Sequence, residues 1–189
     1  VKVLERLFEA GASAVGFDLL FEAPSSHGKD DDAAFAGALR RYRDRVALGV
    51  QVLSGRGPVA SMSLLDLTPA LQPADQSLNR GLLNGSPDPD GVIRRRPGHS
   101  AAEMRQHLGS SVPDGLAKTL LELANADINL DDKLLDLLDP YGPPGTIPTI
   151  SIWELLDANA FLTIKKSGVL TDAMVLVGPT AAVFQDLHP

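Results

Sequence analysis

Val3-Leu-Glu-Arg-Leu-Phe-Glu-Ala-Gly-Ala-Ser-Ala-Val-Gly-Phe-Asp-Leu-Leu-Phe21 changes its apolar pattern part-way along. Val3, Leu4, Leu7 and Phe8 share one helical face, and Gly11 stands where a helix ends in the left-handed conformation. From Ala14 to Phe21 the chain is apolar apart from Asp18, as expected of a strand covered on both faces. Helix into strand across a short Gly turn is one half of a βαβ unit, and its first strand is expected upstream of Val1. The fold class that follows is α/β: a mixed central sheet flanked by helices, in a single domain spanning 1–189.

The same alternation continues outward. Glu22–Lys29 reads as a loop, and Asp30-Asp31-Asp32 opens a helix to about Arg43 with Phe35, Ala38, Leu39 and Tyr42 inside. Acids at its start and Arg40, Arg41 and Arg43 at its end suit the helix dipole. Val46–Leu53 is the next strand. Ser54–Asn79 has no sustained period and reads as a long excursion with one helical turn near Pro69–Leu71. Gly81–Asn84 and Val92–Arg95 are expected as strands joined through the turn residues Ser86-Pro-Asp-Pro-Asp-Gly91. Gly98–Val112 reads as a polar, mobile connection, Leu116–Ala124 as a helix and Lys133–Leu138 as a strand. After the Pro-rich loop Pro140–Pro148, Ser151-Ile-Trp-Glu154 fits a capping box that starts a helix to about Ala158. Met174–Val177 is expected as a buried closing strand that delivers its carboxyl end to Gly178-Pro179.

Composition sets bounds. A chain of 189 residues is most economically one domain, burying roughly 70% of its unfolded surface. Its 44% apolar residues exclude disorder, and with aromatics at 5% the core must rest on Leu, Val, Ile and Ala. A net charge of −7 with Lys and Arg totalling 17 against 24 acids argues against a nucleic-acid partner, the local exception being Arg94-Arg95-Arg96. No cysteine is present, which removes disulfides, thiolate zinc sites and cysteine nucleophiles. No run approaches 18 apolar residues, so nothing here reads as a membrane span.

The candidate chemistry is sparse. Asp18, within an apolar strand, is expected to be paired or hydrogen-bonded, either as a ligand contact at the sheet edge or as a structural acceptor. The Asp30–Asp32 run fits helix capping better than a hard-cation site, and the Asp88 and Asp90 turn lacks the spaced acids and final Glu of a calcium loop. Arg94 and Arg95 point to opposite strand faces, so one should face inward towards a carboxylate such as Asp18 or Asp90. Asp186 and His188 have a spacing seen in metal sites, but two ligands do not make one, and His27, His99 and His107 fall in loops without partner spacing. No Ser elbow, phosphate-binding Gly loop or His-Glu-x-x-His motif is present.

Several motifs in order resemble the second type of CHASE domain, a bacterial extracytoplasmic sensor module. They are Gly11-Ala-Ser-Ala-Val-Gly-Phe-Asp18, the acid-started helix at Asp31, and Asn84 followed by Pro87-Asp-Pro-Asp-Gly-Val-Ile-Arg94. Tyr141-Gly-Pro143, Gly145-Thr-Ile-Pro-Thr-Ile-Ser151, Val175-Leu-Val-Gly178, Thr180-Ala181 and Asp186-Leu-His-Pro189 complete them. Gly98–Val112 is longer than the connection expected there. The resemblance implies a sensor on the periplasmic or extracellular face of a bacterial inner membrane. Transmembrane helices are then expected beyond 189, with a cytoplasmic cyclase, histidine kinase or Ser/Thr kinase output. The candidate ligand contacts are Asp18, Glu22, Asp90, Arg94, Asp186 and His188, for an unknown small-molecule ligand, with no cofactor, no metal and no catalytic residue expected. Two alternatives stay open. One is a metal-dependent hydrolase, which needs Asp18, Asp90, Asp186 and His188 to converge; the other is a ligand-free dimerisation module that spaces receptor chains as a homodimer.

Overall fold

The computed structural model describes residues 1–54, 61–72, 78–85, 90, 97–126, 142–143 and 145–179. Helix α1 (Lys2–Glu9) passes through Gly11, at φ 101°, into strand β1 (Ala14–Leu20). Helix α2 (Lys29–Arg41) leads to β2 (Val46–Ser54), which is followed by the short strands β3 (Met62–Leu65) and β4 (Asn79–Leu82). Helices α3 (Pro97–Leu108), α4 (Leu116–Leu123), α5 (Ile152–Leu156) and α6 (Ala158–Ser167) precede the last strand, β5 (Met174–Val177). The sheet is mixed, as expected. β4, β2, β1 and β5 lie side by side and parallel, while β3 runs antiparallel to the second half of β2.

Alternate side chains of the parallel strands feed two cores. On one face Val15, Phe17, Leu48, Val50 and Val177 pack with Leu4 and Leu7 of α1, Leu39 of α2, Leu155 of α5 and Phe161 of α6. On the other, Ala14 and Ala47 meet Leu116 and Leu120 of α4. That face is stripped of bulk so that α4 can lie on the strands. A Cβ at Gly16 would stand 2.5 Å from Leu120 Cδ1, and one at Gly81 only 2.4 Å from the Leu116 Cα.

Four expectations need correction. The excursion Ser54–Asn79 contains β3, too short to show a period, which forms because the second half of β2 offers it an edge. Gly98–Val112 is neither loop nor disordered connection: α3 starts at Pro97, the favoured first helical position, and ends in a 3-10 turn, Gly109–Ser111. Ala101, Met104 and Leu108 recur at helical spacing and join Val52, Leu82 and Val112 in a third apolar cluster. His99 and His107 therefore lie on a helix. The helix after Ser151 stops at Leu156, because Asp157 turns to ψ 137° and caps the separate helix α6 by accepting the Asn159 and Ala160 amides at 2.9 and 2.8 Å. Finally, β5 has the expected bounds but is buried on one face only. Its Met174 and Leu176 stand on the α4 side, where Leu176 is 65% exposed, since α4 rests on β1, β2 and β4. The expected strands Val92–Arg95 and Lys133–Leu138 lie outside the described residues.

Candidate functional site at the carboxyl end of the sheet

The chain steps from β1 to β2 to β4 in one direction and returns as β5 on the other flank of β1. Strand order therefore reverses between β1 and β5, and in open α/β sheets the crevice outside the carboxyl ends at such a point is the usual ligand position. Phe17 pairs with Val177 at this end, so Asp18 is the first β1 residue past the ladder and Gly178 the first past β5.

Asp18 is not inside an apolar environment, contrary to the sequence expectation; it is exposed. It stands on the face of β1 that carries Ala14 and Gly16, while Phe17, Leu19 and Phe21 turn to the main core. Phe17 is in register with Leu48 and Leu20 with Gly49, so Asp18 and Leu19 form a bulge whose two inserted residues leave that alternation unchanged. Gly178 lies against it: a Cβ there would be 3.2 Å from Asp18 Cβ and 3.6 Å from Asp18 Oδ2. The sequence marked Gly178 as a strand terminator; its close approach to Asp18 is a tertiary feature with no local signal.

On the opposite face of β1, at the same end, is an aromatic cluster. Phe17, Phe21 and Phe35 meet at centroid distances of 5.2 to 5.9 Å. The Phe21 carbonyl accepts the amide of buried Thr68 at 2.7 Å, which ties the β1 exit to the segment holding Leu67 and Leu71. Exposed Glu22 follows directly. The loop beyond it is held by the acids at the start of α2, which here do not cap the helix, its N-cap being Gly28. Instead Asp32 Oδ1 accepts the Ser25 amide at 2.9 Å and Asp31 Oδ2 accepts the Ser25 hydroxyl at 2.6 Å.

The flank at β4 is closed. The Asn84 side chain exchanges hydrogen bonds with both the amide and the carbonyl of Val52, at 2.6 and 2.9 Å. The Asp114 carbonyl accepts the Leu82 amide at 2.8 Å, and its carboxylate takes Arg105 at 2.7 Å and Lys118 at 3.0 Å. Burial pushes this carboxyl up, but the hydrogen bonds and charges of Arg105 and Lys118 outweigh it and hold the group below the usual aspartate value.

Of the candidate residues, Asp18 and Glu22 are both exposed along the β1 exit, four residues apart, whereas Asp90 is an exposed turn residue. Arg94, Asp186 and His188 lie outside the described residues. Among the described residues no three His, Asp or Glu side chains are grouped so as to hold a metal ion. The arrangement defines an α/β domain with exposed carboxylates just past its switch point. The chain belongs to the CHASE2 domain family, which it matches over residues 1–189, a sensory domain family of signalling proteins. No curated protein and no solved structure matches it.

Proposed function

We propose that this domain is the extracytoplasmic sensor of a transmembrane signalling protein, with a small-molecule site in the crevice at the carboxyl ends of β1 and β5. The observation that carries the site is the exposed Asp18 carboxylate just past the last rung of the β1–β5 ladder, where the strand order reverses. Membership of a sensory family supports the role and an extracytoplasmic position. A ligand that favours one arrangement of the domain biases whatever is attached to it, and a cyclase or kinase output reached through membrane helices is the form of attachment we favour. Among the described residues no helix is long and apolar enough to cross a membrane.

A thermal-shift screen against metabolites tests this. A specific ligand at 100 times its dissociation constant stabilises the domain by about 2.7 kcal/mol. The expected hit raises the melting temperature of the parent protein and leaves that of Asp18→Asn unmoved. A hit that stabilises both equally would remove Asp18 from the site. Failure of every compound, together with a stable dimer in sedimentation, would favour the ligand-free spacer.

A further inference from the structure

Two segments about 150 residues apart in sequence run side by side, and they meet step by step in the same order. Arg6 of α1 donates from Nη1 to the Leu155 carbonyl and, at 3.1 Å, to the Asp157 carbonyl, with its guanidinium 4.7 Å from the Phe161 ring centroid. One turn later Glu9 pairs with Lys165 at 2.9 Å. The Gly11 carbonyl accepts the Asp172 amide at 2.9 Å, and a Cβ at Gly11 would stand 3.2 Å from the Thr171 Cα. Ser13 donates its amide to the Ala173 carbonyl at 2.8 Å, and from Ala14 to Phe17 the contact becomes the ladder with Met174–Val177.

Arg6 is the critical member. Helix α5 has five residues, far below the roughly 12–15 that an isolated helix needs in water. At its start the Ser151 amide donates to Glu154 Oε2 at 2.9 Å, and near its end the Leu155 carbonyl takes its donor from the Arg6 guanidinium. The outer face of α5 meanwhile carries Ile152, Trp153 and Leu156 within about 100° of helix arc, all exposed, Trp153 at 64%. On its other side α1 meets the α2 end through the Phe8 ring stacked on Tyr42 and the exposed Glu5–Arg41 pair at 3.0 Å, the latter of the sort that contributes little.

We infer that residues 2–17 and 152–177 form one conformational unit pinned by Arg6, through which a displacement of the α5–α6 corner is delivered to α1 and to the β1–β5 ends flanking Asp18. The unit exists whether or not the crevice binds a ligand. Hydrogen exchange on the intact protein tests it, using Arg6→Met, which keeps the aliphatic stem over Phe161 and removes the donors. The expected result is at least tenfold faster exchange throughout α5 and α6 and at the Ser13 and Asp172 amides, with α4 unchanged. Acceleration confined to residues 152–157, or spread equally into α4, overturns the inference. Glu9→Gln perturbs only an exposed pair and keeps the test open should Arg6→Met fold poorly. It should reproduce the same pattern at two- to threefold, and a pattern that omits Ser13 and Asp172 counts against the unit.

Discussion

The two ends of the parallel sheet are built differently. At the amino ends the backbone is laced by side chains that belong to other elements. Arg45 lies 4.4 Å above the Phe8 ring and donates to the carbonyls of Ala12 and, at 2.9 Å, Ser13. Asn79 donates to the carbonyls of Arg43 and, at 3.0 Å, Val46. Phe8 in turn stacks on Tyr42 with centroids 4.5 Å apart. At the carboxyl ends of β1 and β5 their ladder stops at Phe17 and Val177, and Asp18 and Glu22 beyond it are exposed. Stability is thus concentrated at one end, and the other is free to vary its side chains, which is the usual division between scaffold and site. The clasp at Asp114 refines this picture, since it closes the carboxyl end at β4 and confines the opening to the β1–β5 side.

Substitutions should separate the two ends. Arg45→Ala, which strips two backbone carbonyls of a charged donor and ends the ring contact, should cost about 2–3 kcal/mol in urea denaturation. A cost near zero would break the contrast at its strong end. Gly178→Ala should cost about 1 kcal/mol, because the new methyl must displace Asp18 by a few tenths of an ångström, and it should disturb any ligand response more than stability. The Asp114 clasp has a pH signature of known sign. Its folded-state value is depressed, so its stabilising contribution is complete above the unfolded value of about 4 and is lost as pH falls through the lower folded value. Asp114→Asn should therefore flatten the acid limb of the stability–pH curve below about pH 4, and an unchanged limb would remove the clasp from the account. The smallest stability effect is expected of Asp18→Asn, under about 0.5 kcal/mol for an exposed carboxylate. A loss several times larger would make Asp18 part of the scaffold.

Much of this architecture was legible because it is locally written. The helix, Gly turn and strand over Val3–Phe21 and the closing run Met174–Val177 show their periods within a few residues, and the structure has them where the pattern puts them. The misses share one cause. β3 has no period in four residues, α6 turns on the capping geometry of Asp157, and α3 carries its stripe on three apolar side chains among polar ones. Each is set by the surface it packs against. The same holds at the site. The apolar run around Asp18 predicts burial, but Asp18 lies on the α4 face of the sheet, past the stretch of β1 where Ala14 and Gly16 are covered by Leu116 and Leu120. Arg6 and Arg45 look like ordinary solvated charges in the sequence, and only the folded chain brings carbonyl groups to them.

The proposed small-molecule site at the carboxyl ends of β1 and β5 can be mapped residue by residue. Amide chemical-shift mapping of a thermal-shift hit on the labelled domain tests it most directly. The largest perturbations should fall at Asp18–Glu22, Thr68 and Gly178, with smaller ones carried along the unit to Ser13 and Asp172 and none at Asn79. Perturbations centred on the amino ends, or on Ile152–Leu156 with the Asp18–Glu22 amides unchanged, would contradict it.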